Sequence, residues 1–322
     1  MAKIAFITGI SGQDGSYLSE LLLREGYEVH GLLRHSSSLQ NLAHLLTDDR
    51  IKLHRGDIHD ESVLRRLIAE IRPTEIYHLA GQTNVARSFE LPIETVHDVA
   101  IATVRLLEIA RRTTPEARIF HASSAEIFGN PFDQPQTEVT PMRPINPYGC
   151  AKAFATQMTS VYRDSLGLFA CNGILYNHES PRRGEHFVTR KIARAAARIA
   201  RGLERELKLG NIEARRDWGA ADDYAKAMWM TLQHGTPGDY IIATGETHSV
   251  REFVDAAFAI VGLKADEYLK IDETLLRPSD PAQMIGDAGK IAREVGWKPA
   301  KKFGEVVQEM VEAEVKLAGG TP

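Results

Sequence analysis

Only two cysteines, Cys150 and Cys171, occur in 322 residues. That excludes a disulfide framework and a thiolate-rich metal site. The twelve histidines show no metal-ligand spacing, so no metal is expected. No apolar stretch approaches the roughly 20 residues that span a bilayer, and the run at 4–7 is too short for a signal segment. No membrane is therefore expected as a partner, and a reducing cytoplasm is the expected home. Positive charge is not in excess: 39 Lys and Arg against 43 Asp and Glu give a net charge of -4, which argues against a nucleic-acid surface. Low-complexity tracts and internal repeats are missing too. What is present, 43% hydrophobic and 25% charged residues, suits a chain with a large core in two lobes or one enlarged domain. Cys150 reads as a small packing residue.

The most informative stretch is Ile145-Asn-Pro-Tyr148-Gly-Cys-Ala-Lys152, which puts a phenol and an ammonium four residues apart at a helix start. Side chains at i and i+4 meet on one helical face. A lysine charge beside Tyr148 favours the phenolate, so the tyrosine can serve as a base towards a hydroxyl. Alone the pattern also fits a surface Tyr/Lys pair.

The N-terminal segment adds a nucleotide site. Lys3-Ile-Ala-Phe-Ile-Thr8 reads as a buried parallel strand and runs into Gly9-Ile-Ser-Gly12-Gln-Asp-Gly15, then a helical pattern of Tyr17, Leu18, Leu21 and Leu22. Such glycines permit a tight turn and bring backbone N–H groups to a pyrophosphate at the helix N-terminus. Gly9, Ser11, Gly12, Gln13, Asp14 and Gly15 are the candidate residues. The second strand, 28–33, ends not in the acid usual for NAD but in Arg34-His35-Ser36-Ser37-Ser38; Arg34, Ser36 and Ser37 suit a 2′-phosphate, so the expected cofactor is NADP. The third strand, 52–56, ends in Asp57-Ile58, where a carboxylate can meet the adenine amino group. The fourth, 75–79, ends in Leu79, Ala80, Gly81 and Gln82, mostly small residues against which a dinucleotide can lie.

Strands alternate with helices to about 165, and a further strand follows at 169–175, so the expected fold is α/β: a Rossmann-type doubly wound parallel sheet with a smaller, sequence-interleaved α/β substrate lobe. The expected division is a dinucleotide-binding domain at 1–176 to which 220–245 returns, with 177–219 and 246–322 forming mainly the substrate lobe. A helix at 221–233 and a strand at 239–244 are expected in the returning part, and a structural helix at 303–317 carries Val306, Val307, Met310, Val311 and Val315 at helical spacing.

Taken together the residues resemble the extended short-chain dehydrogenase/reductases, and within them the GDP-mannose 4,6-dehydratases. The resemblance covers essentially the whole chain and is carried by Thr8-Gly-Ile-Ser-Gly-Gln-Asp-Gly-Ser-Tyr-Leu18, Arg34 with its serine run, Asn177-His-Glu-Ser-Pro-Arg-Arg-Gly184 with Phe187-Val-Thr-Arg-Lys191, Arg215-Arg-Asp-Trp-Gly219, Ala243-Thr-Gly-Glu-Thr-His-Ser-Val-Arg251 and Gly296-Trp-Lys-Pro299. It implies bound NADP, a GDP-sugar substrate, and a homodimer or homotetramer, the tetramer being one in which the loop at 34–38 meets a neighbouring subunit's cofactor. The implied reaction converts GDP-α-D-mannose to GDP-4-dehydro-6-deoxy-α-D-mannose through an internal C4-to-C6 hydride transfer. In it Tyr148 takes the 4-hydroxyl proton, Lys152 lowers the phenol pKa and holds the nicotinamide ribose, Ser124 hydrogen-bonds the reacting oxygen, and Glu126 moves protons at C5 and C6. The implied substrate contacts are Thr83, Ser88, Ser124, Glu126, Asn177, Lys191, Arg216 and Arg277, with His178 and Arg183 on the cofactor. For Arg216 and Arg277 the alternative to a diphosphate clamp is a pair of structural salt bridges.

Three positions depart from the family pattern. Ser123-Ser124-Ala125-Glu126 stands for the usual Ser-Thr-Ser-Glu, Asn84 stands where a histidine is usual, and Arg277-Pro-Ser-Asp280 replaces a motif with glutamate and a second aspartate. Competing readings on the same fold are a GDP-4-keto-6-deoxyhexose reductase, a 4-epimerase or a GDP-heptose 4,6-dehydratase. A catalytically silent NADP-binding protein is a third class, against which the joint presence of Ser124, Glu126, Tyr148 and Lys152 argues.

Overall fold

The computed structural model describes residues 3–131 and 134–319. Short strands buried on both faces alternate with amphipathic helices, the pattern that forces a parallel sheet covered on either side. The strands are β1 (Ile4–Thr8), β2 (Glu28–Leu33), β3 (Ile51–Arg55), β4 (Glu75–His78), β5 (Arg118–Ser124), β6 (Ala170–Leu175), β7 (Asn177–Glu179), β8 (Leu207–Leu209), β9 (Arg215–Arg216), β10 (Trp218–Ala220), β11 (Asp239–Ile242), β12 (His248–Ser249), β13 (Leu269–Ile271) and β14 (Gln283–Met284). Seven of them form one parallel sheet in the order β3-β2-β1-β4-β5-β6-β11. The order reverses direction between β1 and β4, and such a switch point opens a crevice at the carboxyl ends of the strands.

The longer helices are α1 (Gln13–Arg24), α2 (Glu61–Ile71), α3 (Val85–Glu90), α4 (Pro92–Val96), α5 (Ala102–Thr113), α6 (Pro147–Asp164), α7 (Val188–Ala200), α8 (Ala221–Gln233), α9 (Val250–Ile260), α10 (Gly289–Glu294) and α11 (Phe303–Leu317). On one face of the sheet, Leu18, Leu22 and Leu23 of α1 and Tyr224, Met228 and Leu232 of α8 pack on Ile7, Val29 and Phe120. On the other, Leu64, Leu67 and Ile68 of α2, Leu106, Leu107 and Ile109 of α5 and Tyr162 of α6 cover Phe6, Ile76 and Ile119. A separate core gathers α7, α9 and α11 around Trp218, Phe253, Phe258 and Met310. Pairs β7–β10 and β8–β13 and the set β12-β9-β14 are the small sheets outside the main one. β7 lies two residues beyond β6, so a single extended stretch carries the chain from the main sheet to the second core.

Local sequence chemistry starts the site-bearing helices. Asp60 caps α2 by accepting from the Ser62 and Val63 N–H groups, while Asn146 caps α6 by accepting from Gly149 N with Pro147 at the first helical position. Compared with the sequence reading, which expects a strand at 239–244, β11 ends earlier, at Ile242. Cys150, expected as a packing residue, is exposed on α6. Among the described residues no helix is long and apolar enough to cross a membrane, and no group of His, Cys, Asp and Glu is placed to hold a metal.

Candidate active site

One cleft of about 1570 Å³ runs along the carboxyl ends of β1, β2, β3, β4 and β5 and on to β7, α7 and the 275–284 segment. A pocket for one small ligand occupies roughly 300–1,000 Å³. This cleft is large enough for a dinucleotide and a second nucleotide end to end.

Its floor at the first strand-to-helix junction is shaped for a pyrophosphate. Gly9 has φ +76, and a Cβ there would lie 2.9 Å from the Ala80 nitrogen, while one on Gly15 would lie 2.5 Å from the Gly9 oxygen. Only glycine lets α1 approach β1 and β4 so closely. Gly12 precedes α1 without a side-chain cap, so the first N–H groups of the helix are left for a ligand in the cleft. Ser11 is tied in place by Asn41, whose amide donates to its carbonyl at 3.2 Å. At the end of β2, Arg34 is exposed and lines the cleft with Ser37. No acid takes the position beside it, and Arg55 donates instead to the His35 carbonyl at 2.9 Å. These features fit a dinucleotide with its phosphates on α1. Asp57, Ile58, Leu79, Ala80, Gln82 and Thr83 continue the same wall.

Gln13 and Asp14 do more than border this floor. The Gln13 amide donates to the His178 carbonyl at 3.0 Å and its oxygen accepts from the Ser180 hydroxyl at 2.9 Å. His178 places Nδ1 2.7 Å from the Tyr176 carbonyl and Nε2 3.0 Å from the Asp14 carboxylate. Both ring nitrogens face acceptors, so the arrangement calls for imidazolium. Burial opposes that charge, but the Asp14 carboxylate and the hydrogen bonds outweigh it and raise the His178 pKa. Burial likewise works against the Asp14 charge, and His178 with Gln13 overcomes it, holding that carboxyl at about 2. The pair pins the glycine turn to β7.

The chemical cluster sits where β5 ends. Ser124 caps a 3-10 turn, Ala125–Phe128, by accepting from Glu126 N at 3.3 Å. Glu126 is half-buried, and its Oε2 accepts from the Asn146 amide at 2.8 Å. Tyr148 and Lys152 are 6% and 5% exposed. The ammonium lies 5.9 Å from the Tyr148 ring centre and donates to the Ala122 carbonyl at 2.5 Å. Burial brings the Lys152 pKa down to about 8, and beside it His78 is pushed by burial and by this same lysine to about 3, which keeps it neutral.

The expected depression of the Tyr148 pKa is not a property of the protein alone. Burial raises it, Glu126 adds to the rise, and the Ser124 hydroxyl and Arg183 pull the other way. Desolvation of the phenolate outweighs the favourable neighbours.

At the far end Arg216, buried, donates to the Arg215 and Pro281 carbonyls at 2.8 Å each and to Asp280 at 2.5 Å. Arg277 approaches the same carboxylate at 3.5 Å. Two guanidinium groups sharing one acid leave a net positive charge lining the cleft. Lys191 lines it as well, donating to the Lys208 carbonyl at 2.6 Å, as does Asn177 at the start of β7. Arg183 lies 3.1 Å from the buried Glu179 and over the Phe187 ring.

Two expected contacts lie outside the cleft wall. Ser88 is fully buried, its hydroxyl turned back to the Val85 carbonyl at 2.7 Å within α3, and Ser36 is exposed on the loop between Arg34 and Ser37, which both line the cleft. Asn84 caps α3 through the Arg87 N–H at 3.1 Å, so it starts a helix there. The sequence reading passed over Asn146, although an Asn-Pro pair before a helical run is a helix-start signature that marks its side chain as engaged.

The sheet, the glycine turn and the Tyr148–Lys152 pair on α6 define a Rossmann-type protein of the short-chain dehydrogenase/reductase kind. The solved Thermus thermophilus UDP-glucose 4-epimerase, in complex with NAD, matches with a TM-score of 0.85 and 28% identity over 97% of this chain and 98% of its own. The family model described as GDP-mannose 4,6 dehydratase matches residues 6–310. Arabidopsis thaliana GDP-mannose 4,6 dehydratase 1 is 48% identical over 98% of this chain and 91% of that protein, and the Homo sapiens GDP-mannose 4,6 dehydratase is 42% identical over 99% and 93%. The chain belongs to the GDP-mannose 4,6-dehydratase family.

Proposed function

We propose that this protein converts GDP-mannose to GDP-4-dehydro-6-deoxymannose with NADP held along the glycine turn. The observation that carries the reading is the convergence of Ser124, Glu126, Tyr148 and Lys152 at one point of the cleft, in a chain of the dehydratase family. Gly9, Ser11, Gly12 and Gly15 hold the pyrophosphate, and Arg34 with Ser37 favours a 2′-phosphate. Asp57 and Ile58 border the adenine, and Leu79, Ala80 and Gln82 the remainder of the dinucleotide. Arg216 and Arg277 face the GDP diphosphate, with Asn177, Lys191 and Thr83 along the sugar nucleotide. When bound, the nicotinamide supplies the hydride acceptor at C4 and the donor at C6, so none is consumed.

The protein's own groups move the protons. Tyr148 takes the proton of the 4-hydroxyl, with Ser124 donating to the same oxygen as it becomes a ketone. Lys152, cationic or close to it near neutral pH, stabilises the phenolate while this occurs. The 4-ketone acidifies C5–H. Glu126 removes that proton and delivers it to the departing 6-hydroxyl, which leaves as water, and one proton equivalent, matching that first taken from O4, returns to C5. A carboxyl suits Glu126's task because one group must accept from carbon and donate to oxygen within one turnover.

A reductase on the same fold would consume NADPH in proportion to product. The test is incubation with GDP-mannose and a catalytic amount of NADP, with NAD in parallel. A nucleotide sugar lighter by one water is expected, faster with NADP and with no net change in NADPH; unchanged GDP-mannose, or consumption of NADPH, would refute the reading. We further propose that the working form is a homo-oligomer, as the family resemblance implies.

A further inference from the structure

We infer that Asn146 is a positioning residue that aims the Glu126 carboxylate for proton transfer, beyond its role as the cap of α6. The inference rests on the dehydratase reading for the step it affects. Asn146 is 3% exposed and makes two directed contacts. Its Oδ1 accepts from Gly149 N at 2.7 Å, and its Nδ2 donates to Glu126 Oε2 at 2.8 Å. The first contact settles the orientation of the amide, because only the oxygen can accept from a backbone N–H; the nitrogen is then obliged to face the carboxylate. A carboxyl oxygen answers it, so the amide that starts the helix also holds the acid in place.

The backbone reinforces the link. A Cβ on Gly149 would lie 2.5 Å from the Glu126 carbonyl oxygen, so the first turn of α6 is seated directly on the Glu126 turn. One amide thus connects the helix that carries Tyr148 and Lys152 to the acid that works on the neighbouring carbon. The bond to Oε2 fixes the plane of the carboxyl group that takes the C5 proton and hands it to the 6-hydroxyl. Loss of this aim should slow water loss while sparing 4-oxidation, which Tyr148 and Lys152 perform.

Asn146→Ser separates the two roles. Serine is as good a helix cap as asparagine but cannot reach across with an amide donor. The expected result is an unchanged thermal midpoint, single-turnover nicotinamide reduction at the parental rate, and dehydration slowed about 10-fold or more, so that oxidised but undehydrated sugar builds up. Asn146→Ala, which loses the cap as well, is expected to lower the midpoint. A second readout needs no substrate: in nitrogen-15-labelled protein, the Asn146 side-chain amide signals, assigned by their loss in Asn146→Ser, should shift when Glu126 is replaced by Ala. Dehydration by Asn146→Ser at the parental rate, equal slowing of both steps, or an amide signal indifferent to Glu126 would each overturn the inference. If the parent protein fails to dehydrate GDP-mannose, the functional reading falls, while the amide shift still decides whether Asn146 holds Glu126.

Discussion

Replacing Tyr148 by Phe is expected to abolish turnover, lowering kcat by about 10²–10⁴-fold. The ring packs with Val99, Ala100 and Ala151 in a small buried cluster, and phenylalanine keeps that packing, so the loss should appear in chemistry rather than in stability. Without the hydroxyl nothing accepts the 4-hydroxyl proton, and hydride cannot leave C4. Rapid mixing with GDP-mannose should therefore show no nicotinamide reduction even in the first turnover, although the nucleotide sugar still binds. Burst reduction at the parental rate would remove Tyr148 from its assigned role. Because burial holds the phenol above its ordinary pKa, ultraviolet titration of the protein should show no tyrosinate at Tyr148 near neutral pH.

Glu126→Gln should give the opposite kinetic picture. Glutamine retains an oxygen able to accept from Asn146, so the geometry around the 3-10 turn Ala125–Phe128 persists. It cannot take a proton from C5. Oxidation at C4 should proceed, slowly, and then stall. The expected observation is one equivalent of reduced cofactor per site, trapped beside a 4-keto sugar that has lost no water, with dehydration down by about 10²–10⁴-fold. Dehydration at the parental rate would mean that another group moves these protons.

Much of this architecture was legible in the residues themselves. Periodicity and the glycine turn pointed to the parallel sheet, because a strand buried on both faces reads as an unbroken apolar run and its junction with α1 needs glycine. Tyr148 and Lys152 were found because their spacing is local. Contacts between distant segments were harder to see. The bond between His178 and Asp14 spans 164 positions, and no local pattern shows that the glycine turn is pinned to β7. The same holds for Arg216, whose partner Asp280 is visible only once β9 and β14 are paired. Ser88 was misplaced because its hydroxyl satisfies its own helix, a choice decided by which face of α3 is buried. The lysine effect on Tyr148 was overstated because spacing reveals proximity but not the desolvation that competes with it.

The proposed reaction requires that hydride leave C4 and return to C6 of the same sugar within one cleft. GDP-mannose carrying deuterium at C4, incubated with the protein and a catalytic amount of unlabelled NADP, tests it directly. The expected result is a dehydrated product with deuterium at C6 and none in the free NADPH pool. Product without label at C6, or label recovered in free NADPH, would contradict it.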